Sequence, residues 1–250
     1  MSMNKTVALA AVVAAGLGVS GTAVAEGTTS KYFVEGLVGA SLADFDDYNF
    51  HNPDAIGAGI VTSPVSGDRI LMGNIDDSDE SVAASAAVGL TINRNLAVKA
   101  SYHYFGNLEA RGFADFVGGA SFSQDLDVEA HGLTAGLVGT WDLSPAIFVE
   151  GQAELGMGFM SAEGVQGANF PPATNFPDGD DVNFIAGIGG GIGYRLASNM
   201  DIIVRASYYD LGGVETDTTG NPPPAGMNPN ERLESDLETV TVSAGVRYRF

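Results

Sequence analysis

Val240-Thr241-Val242-Ser243-Ala244-Gly245-Val246-Arg247-Tyr248-Arg249-Phe250 decides the fold. Read with a period of two, Val240, Val242, Ala244, Val246, Tyr248 and Phe250 share one face, and Thr239, Thr241, Ser243, Gly245, Arg247 and Arg249 share the other. Successive side chains of a strand point to opposite sides. One side of this strand is therefore apolar and ends in aromatics, while the other is polar and ends in arginines. A strand with lipid on one side and a polar lumen on the other carries this pattern.

Seven further segments alternate in the same way. Their apolar faces are Tyr32 to Leu42, Val82 to Ile92, Leu96 to Tyr104, a less regular stretch at about 128–141, Ile147 to Phe159, Val182 to Leu196, and Ile202 to Tyr208. Segments of about ten residues with dyad alternation are the signature of a membrane barrel. The expectation is an all-β protein, an eight-stranded antiparallel up-and-down transmembrane β-barrel. Short turns are read at 93–95, 142–145 and 197–199, on the periplasmic side. Long extracellular loops are read at about 43–80, 106–125, 161–180 and 211–235. Aromatics near the segment ends, such as Tyr102, Trp141 and Tyr194, stand where interfacial girdles belong.

At the other end, Lys5, an apolar stretch from Thr6 to about Val19, and Ala23-Val24-Ala25 form the three regions of a secretory signal peptide. The stretch is shorter than the about 20 residues of a membrane helix. Residues 1–25 are read as the signal, with Ala23 and Ala25 at the cleavage site, and 26–250 as the barrel. The net charge of -20 argues against a nucleic-acid partner. With no cysteine, a disulfide framework and thiolate chemistry are excluded.

The chain also echoes itself. Phe33-Val34-Glu35-Gly36 recurs as Phe148-Val149-Glu150-Gly151, and Val98-Lys99-Ala100-Ser101-Tyr102 as Val204-Arg205-Ala206-Ser207-Tyr208. A glycine follows each time, at Gly106 and Gly212. Thr134 to Trp141 aligns with Ser243 to Phe250, which places Leu133, Ala135, Leu137 and Trp141 on the lipid side. Two related four-strand halves are implied.

These features resemble the small outer-membrane β-barrel proteins: the OmpA-type transmembrane domain, the OmpX and opacity-protein group, and the porin-family surface antigens. The resemblance covers about residues 31–250. It implies the outer membrane of a Gram-negative bacterium, with outer-membrane lipid and lipopolysaccharide as surroundings. It makes Tyr248 and Phe250 the signal read by the barrel-assembly machinery. It implies a structural or surface-interaction role, through envelope integrity, adhesion or antigen display to host or cell-surface ligands. A small-solute or ion channel of the porin-like or OmpW-like kind is the alternative, and a lipid A-modifying enzyme the third.

Three sets of residues are candidates for function. The inward charges are Glu35, Lys99, Glu150, Glu154, Asp201, Arg205, Arg247 and Arg249, four of each sign. Glu35, Lys99, Glu150 and Arg205 are expected in one layer, because inward residues of alternate strands stack in layers. The acidic run Asp76, Asp77, Asp79 and Glu80 offers oxygens to Ca²⁺, without the glycine and spacing of an EF-hand; no cofactor is expected. The histidines are His51 in a loop, His103 in the lumen beside Ser101, and His131 beside Glu129. No nucleophile motif accompanies them, so no enzyme is expected.

Overall fold

The structure, a computed structural model, describes residues 31–51, 70–76, 78–116, 121–168, 174–217 and 232–250. The signal-peptide reading, with Ala23 and Ala25, lies outside these residues. The strands are β1 (Tyr32–His51), β2 (Ile70–Asp76), β3 (Ser78–Asn93), β4 (Leu96–Phe116), β5 (Ser121–Asp142), β6 (Ile147–Ala168), β7 (Thr174–Ala197), β8 (Met200–Glu215) and β9 (Arg232–Arg249). Each barrel strand pairs antiparallel with its sequence neighbours, and β1 pairs with β9 to close the ring. Both β2 and β3 pair with β4, so together they make one stave of an eight-stranded barrel. No described helix is long and apolar enough to cross a membrane.

The strands run well past the ends of the alternating segments. At about 3.4 Å per residue and a tilt near 40°, the 22 residues of β5 climb roughly 55 Å. An apolar band is about 25 Å tall, so a comparable height of barrel stands clear of it. Within the regions read as long loops at 43–80, 106–125, 161–180 and 211–235, strand therefore takes residues 43–51, 70–76, 78–80, 106–116, 121–125, 161–168, 174–180, 211–215 and 232–235. His51, read as a loop residue, ends β1 and pairs with Arg232.

The reason is an inversion of polarity along each strand. In β5 the outward residues Leu133, Leu137 and Trp141 give way further up to Asp125, Asp127 and Glu129. Inside, Thr134 gives way to Leu126, Val128 and Ala130, all buried. In β9 outward Val240 and Val242 are followed upward by inward Leu237 and Leu233. Lipid selects apolar side chains outside, and water selects them inside. The apolar face thus switches sides at the membrane edge while the ladder continues. That switch makes the stretch at 128–141 look irregular in sequence.

The internal echo has a structural counterpart. β4 and β8 each carry a bulge, at Gly106 and Gly212, where φ is +105° and +77°. Below the bulge odd-numbered residues of β4 point inward (Lys99, Ser101, His103), and above it even-numbered ones do (Leu108, Ala110). A side chain at Gly106 would be strained by its φ and would also meet Ser81, 2.3 Å from Oγ. The rings of Phe33 and Phe148 lie on Gly89 and Gly193, where a Cβ would come within 2.0 and 2.1 Å of them.

If the upper strands enclose a packed core, Leu126→Ala leaves a cavity and costs about 2–5 kcal/mol. Leu137→Ala, whose gap lipid can fill, costs distinctly less. Denaturant titration of both variants in lipid vesicles checks this; a solvated loop at Leu126 would give a change within about 0.5 kcal/mol.

Candidate functional site

The lower lumen is built from inward positions of the strands whose outer faces meet lipid. All eight charges named from the sequence point into it, and all but Arg249 are buried. Four of them form a closed ring. The Nη1 and Nη2 atoms of Arg205 (β8) donate to Glu35 (β1) at 2.7 and 3.1 Å. Arg205 Nε donates to Glu150 (β6) at 3.0 Å. Arg247 (β9) donates to Glu35 from Nε at 2.9 Å and to Glu150 Oε2 from Nη2 at 2.9 Å. Two carboxylates and two guanidinium groups neutralise one another, and Arg247 stacks 4.9 Å from the Phe33 ring centroid.

This ring differs from the expected layer in one member. Lys99 stands 3.9 Å from Glu35 but 3.1 Å from Glu154, and donates to Gln152 at 2.8 Å. Arg247 takes its place, because Arg247 and Glu35 are directly paired across the β1–β9 ladder. Counting residues above the short turns ignores the stagger between strands, and stagger decides which charges meet.

A second cluster surrounds Glu154. Its carboxylate accepts from Tyr209 Oη at 2.7 Å, Ser101 Oγ at 3.0 Å, Gln152 Nε2 at 3.2 Å and Thr134 Oγ1 at 3.3 Å, besides Lys99. His103 Nε2 lies 3.6 Å from it and 3.1 Å from Thr134 Oγ1. Sequence reasoning missed Gln152, Thr134 and Tyr209 because it sought charges; their inward parity on strands already assigned was the available signal. Above this cluster His103, Phe105 and Tyr209 pack ring on ring, with centroids 5.1–5.6 Å apart. Higher still the apolar core fills the interior with residues such as Phe45, Leu108, Leu126, Met160, Leu233 and Leu237. A gap of about 20 Å³ remains between ionic and apolar storeys, room for about one water.

At the lower rim Arg249 pairs with Asp201. Asp142 bridges two turns by accepting from Arg195 and, at 3.0 Å, from Arg94. Those two hydrogen bonds hold its carboxyl below the usual carboxylate range. Tyr248 and Phe250 face outward, their rings 6.4 Å apart, and Phe250 stacks on Tyr32.

The remaining candidates separate. Asp79 and Glu80 are consecutive strand residues, paired with inward Ala43 and outward Leu42, so they point to opposite sides. The Asp79 carboxylate accepts the Glu109 backbone N–H at 3.0 Å. Asp76 ends β2, and Asp77 lies outside the described residues. The calcium reading required one loop to gather these oxygens, and Asp76 is in β2 while Asp79 and Glu80 are in β3. Among the described residues no three acidic or histidine side chains are grouped to hold a metal. Ser101 and His103 share the lumen but serve Glu154 and Thr134. His131 sits on the outer face between Tyr102 Oη at 2.7 Å and Glu129 at 3.2 Å.

An eight-strand closed barrel with an apolar band outside and paired charges inside defines a transmembrane β-barrel. The chain matches the outer membrane protein beta-barrel domain model over residues 10–250 and belongs to that family, which places it in the bacterial outer membrane. No curated protein sequence matches it. Among solved structures it is similar to Neisserial surface protein A (14% identity, 88% of this chain and 97% of that one, TM-score 0.44). It is also similar to OprG from Pseudomonas aeruginosa (12%, 88% and 96%, 0.46) and to Ail, the attachment invasion locus protein of Yersinia pestis (13%, 87% and 99%, 0.38).

Arg247→Met leaves two buried carboxylates sharing one guanidinium and costs about 3–5 kcal/mol, read by denaturant titration in vesicles. A second test uses pH. The contribution of Asp142, whose folded pKa is depressed, is complete above the unfolded value near 3.9 and is lost as pH falls through the folded one. Asp142→Asn is therefore less stable than the parent at pH 7, by a small margin because the site is exposed, and the difference closes in acid.

Proposed function

We propose that this protein is a non-conducting barrel that acts through its outward-facing extracellular surface, in envelope structure and in contact with other surfaces. The observation that carries this reading is the double closure of the lumen. A solute entering from outside meets the apolar core, and one entering from below meets the ring of Glu35, Arg205, Glu150 and Arg247. Opening the ring means separating buried, mutually neutralised charges, which costs several kcal/mol per unpaired ion. An ion gains nothing comparable from the apolar storey above.

The outer face of the extracellular strands supports the surface half of the proposal. Glu109, Asp127 and Glu163 are direct cross-strand partners on β4, β5 and β6, and all three are exposed. Asp44, Glu238 and Asp210 repeat the arrangement on β1, β9 and β8. Like charges directly opposite one another destabilise a sheet, so folding alone does not call for these rows. Burial, then Glu109, Glu163 and Asp125, push the Asp127 carboxyl upward. The rows suit partners of opposite charge: basic protein segments, or divalent ions shared with lipopolysaccharide phosphates.

Planar-bilayer recording of refolded protein is the deciding experiment. No discrete conductance steps are expected; steps whose size changes with Arg205→Ala or Glu150→Ala would establish the channel reading instead. The acidic rows have their own test. Asp127 has a raised folded pKa, so its charge costs stability above that value and the cost vanishes as pH falls below the unfolded one. Asp127→Asn is expected to be slightly more stable than the parent at pH 7 and equal to it near pH 3, by pH-resolved unfolding.

A further inference from the structure

The lower mouth of the barrel opens into a vestibule of about 630 Å³. Lys31, Arg94, Arg195, Arg247 and Arg249 line it, and among the described residues the one carboxylate lining it is Asp142. The chain has 11 lysines and arginines against 31 acidic residues. Five of those eleven cations therefore converge on one concavity of a strongly acidic protein. Arg247 belongs to the neutral ring above, and Arg249 is matched by Asp201. Among the described residues, Lys31, Arg94 and Arg195 then face Asp142, three cations against one anion.

The donors there are not used up. A guanidinium has five N–H donors. Arg94 gives one hydrogen bond to Asp142, and Arg195 gives one to Asp142 and one to the Pro145 carbonyl at 3.1 Å. Arg195 also lies 5.1 Å above the centroid of Phe148, which fixes the plane of its fork. Fixed forks with spare donors, in a concavity of net positive charge, match the geometry of phosphate and carboxylate oxygens.

We propose that this vestibule is a binding site for a soluble, multiply charged anion of the periplasm that carries phosphate or carboxylate groups. Lys31, Arg94 and Arg195 supply the charge, and Asp142 positions the two arginines. The site lies at the opposite end of the barrel from the acidic rows, and its existence does not depend on what they contact.

The probe is inorganic pyrophosphate, titrated calorimetrically into the refolded full chain in a non-ionic detergent. One saturable site per chain is expected, weakening as salt is raised. Arg94 is 83% exposed and Lys31 lies at the exposed start of β1. The double variant Lys31→Gln/Arg94→Gln therefore keeps the folded barrel, verified by its heat-sensitive gel mobility, and weakens binding about ten-fold. Arg111→Gln, at the extracellular end, leaves binding unchanged. No saturable heat, or equal losses in the double variant and Arg111→Gln, would overturn the proposal. A third arm repeats the titration in nanodiscs of phosphatidylcholine and of phosphatidylglycerol. Similar affinity in both is expected; abolition by phosphatidylglycerol would mean that lipid headgroups fill the mouth and that the soluble ligand is wrong.

Discussion

Lipid offers the backbone no hydrogen-bond partner, and every other feature of this protein depends on that constraint. Within the apolar band each N–H and C=O must be satisfied by a neighbouring strand, so the sheet has to close. Closure by eight staves fixes an interior only wide enough for side chains. The interior must then be filled, and filled by whatever inward residues the strands carry. In the lower half these are polar, and in a confined space polar groups persist only when paired. The ring of Glu35, Arg205, Glu150 and Arg247 and the cluster around Glu154 follow from the closed ladder.

Above the membrane the same ladder meets water. The barrel there is organised like a soluble protein, with Leu126, Val128 and Leu237 inside and Asp125, Asp127 and Glu129 outside. One continuous sheet thus serves two solvents. The two segments support each other: the upper core holds the strands of the lower lumen in register, and the lower band anchors the upper strands at their base.

The alternation of Val240 to Phe250 and its seven counterparts made the barrel, its strand count and the outward set legible from sequence alone. The inward charges followed from the same parity. Two things were not legible, each for a physical reason. The upper strands were read as loops because their apolar residues reappear one position out of phase, which looks like the end of a strand. The membership of the ionic ring was misread because stagger is a property of the closed sheet and not of any single segment. Lys99 and Arg247 are both inward cations, and only the β1–β9 pairing sets Arg247 opposite Glu35.

The repeated halves hold a consequence for assembly. Glu35 comes from the first half and finds its guanidinium partners, Arg205 and Arg247, in the second. Glu154 comes from the second half and finds Lys99 and His103 in the first. Each half has lent an acid to the other. A half-formed sheet would hold carboxylates whose partners lie on strands not yet in place, and drying its interior would strand them. Water must therefore stay in the nascent lumen until β9 reaches β1, which makes ring closure and dehydration a single late event.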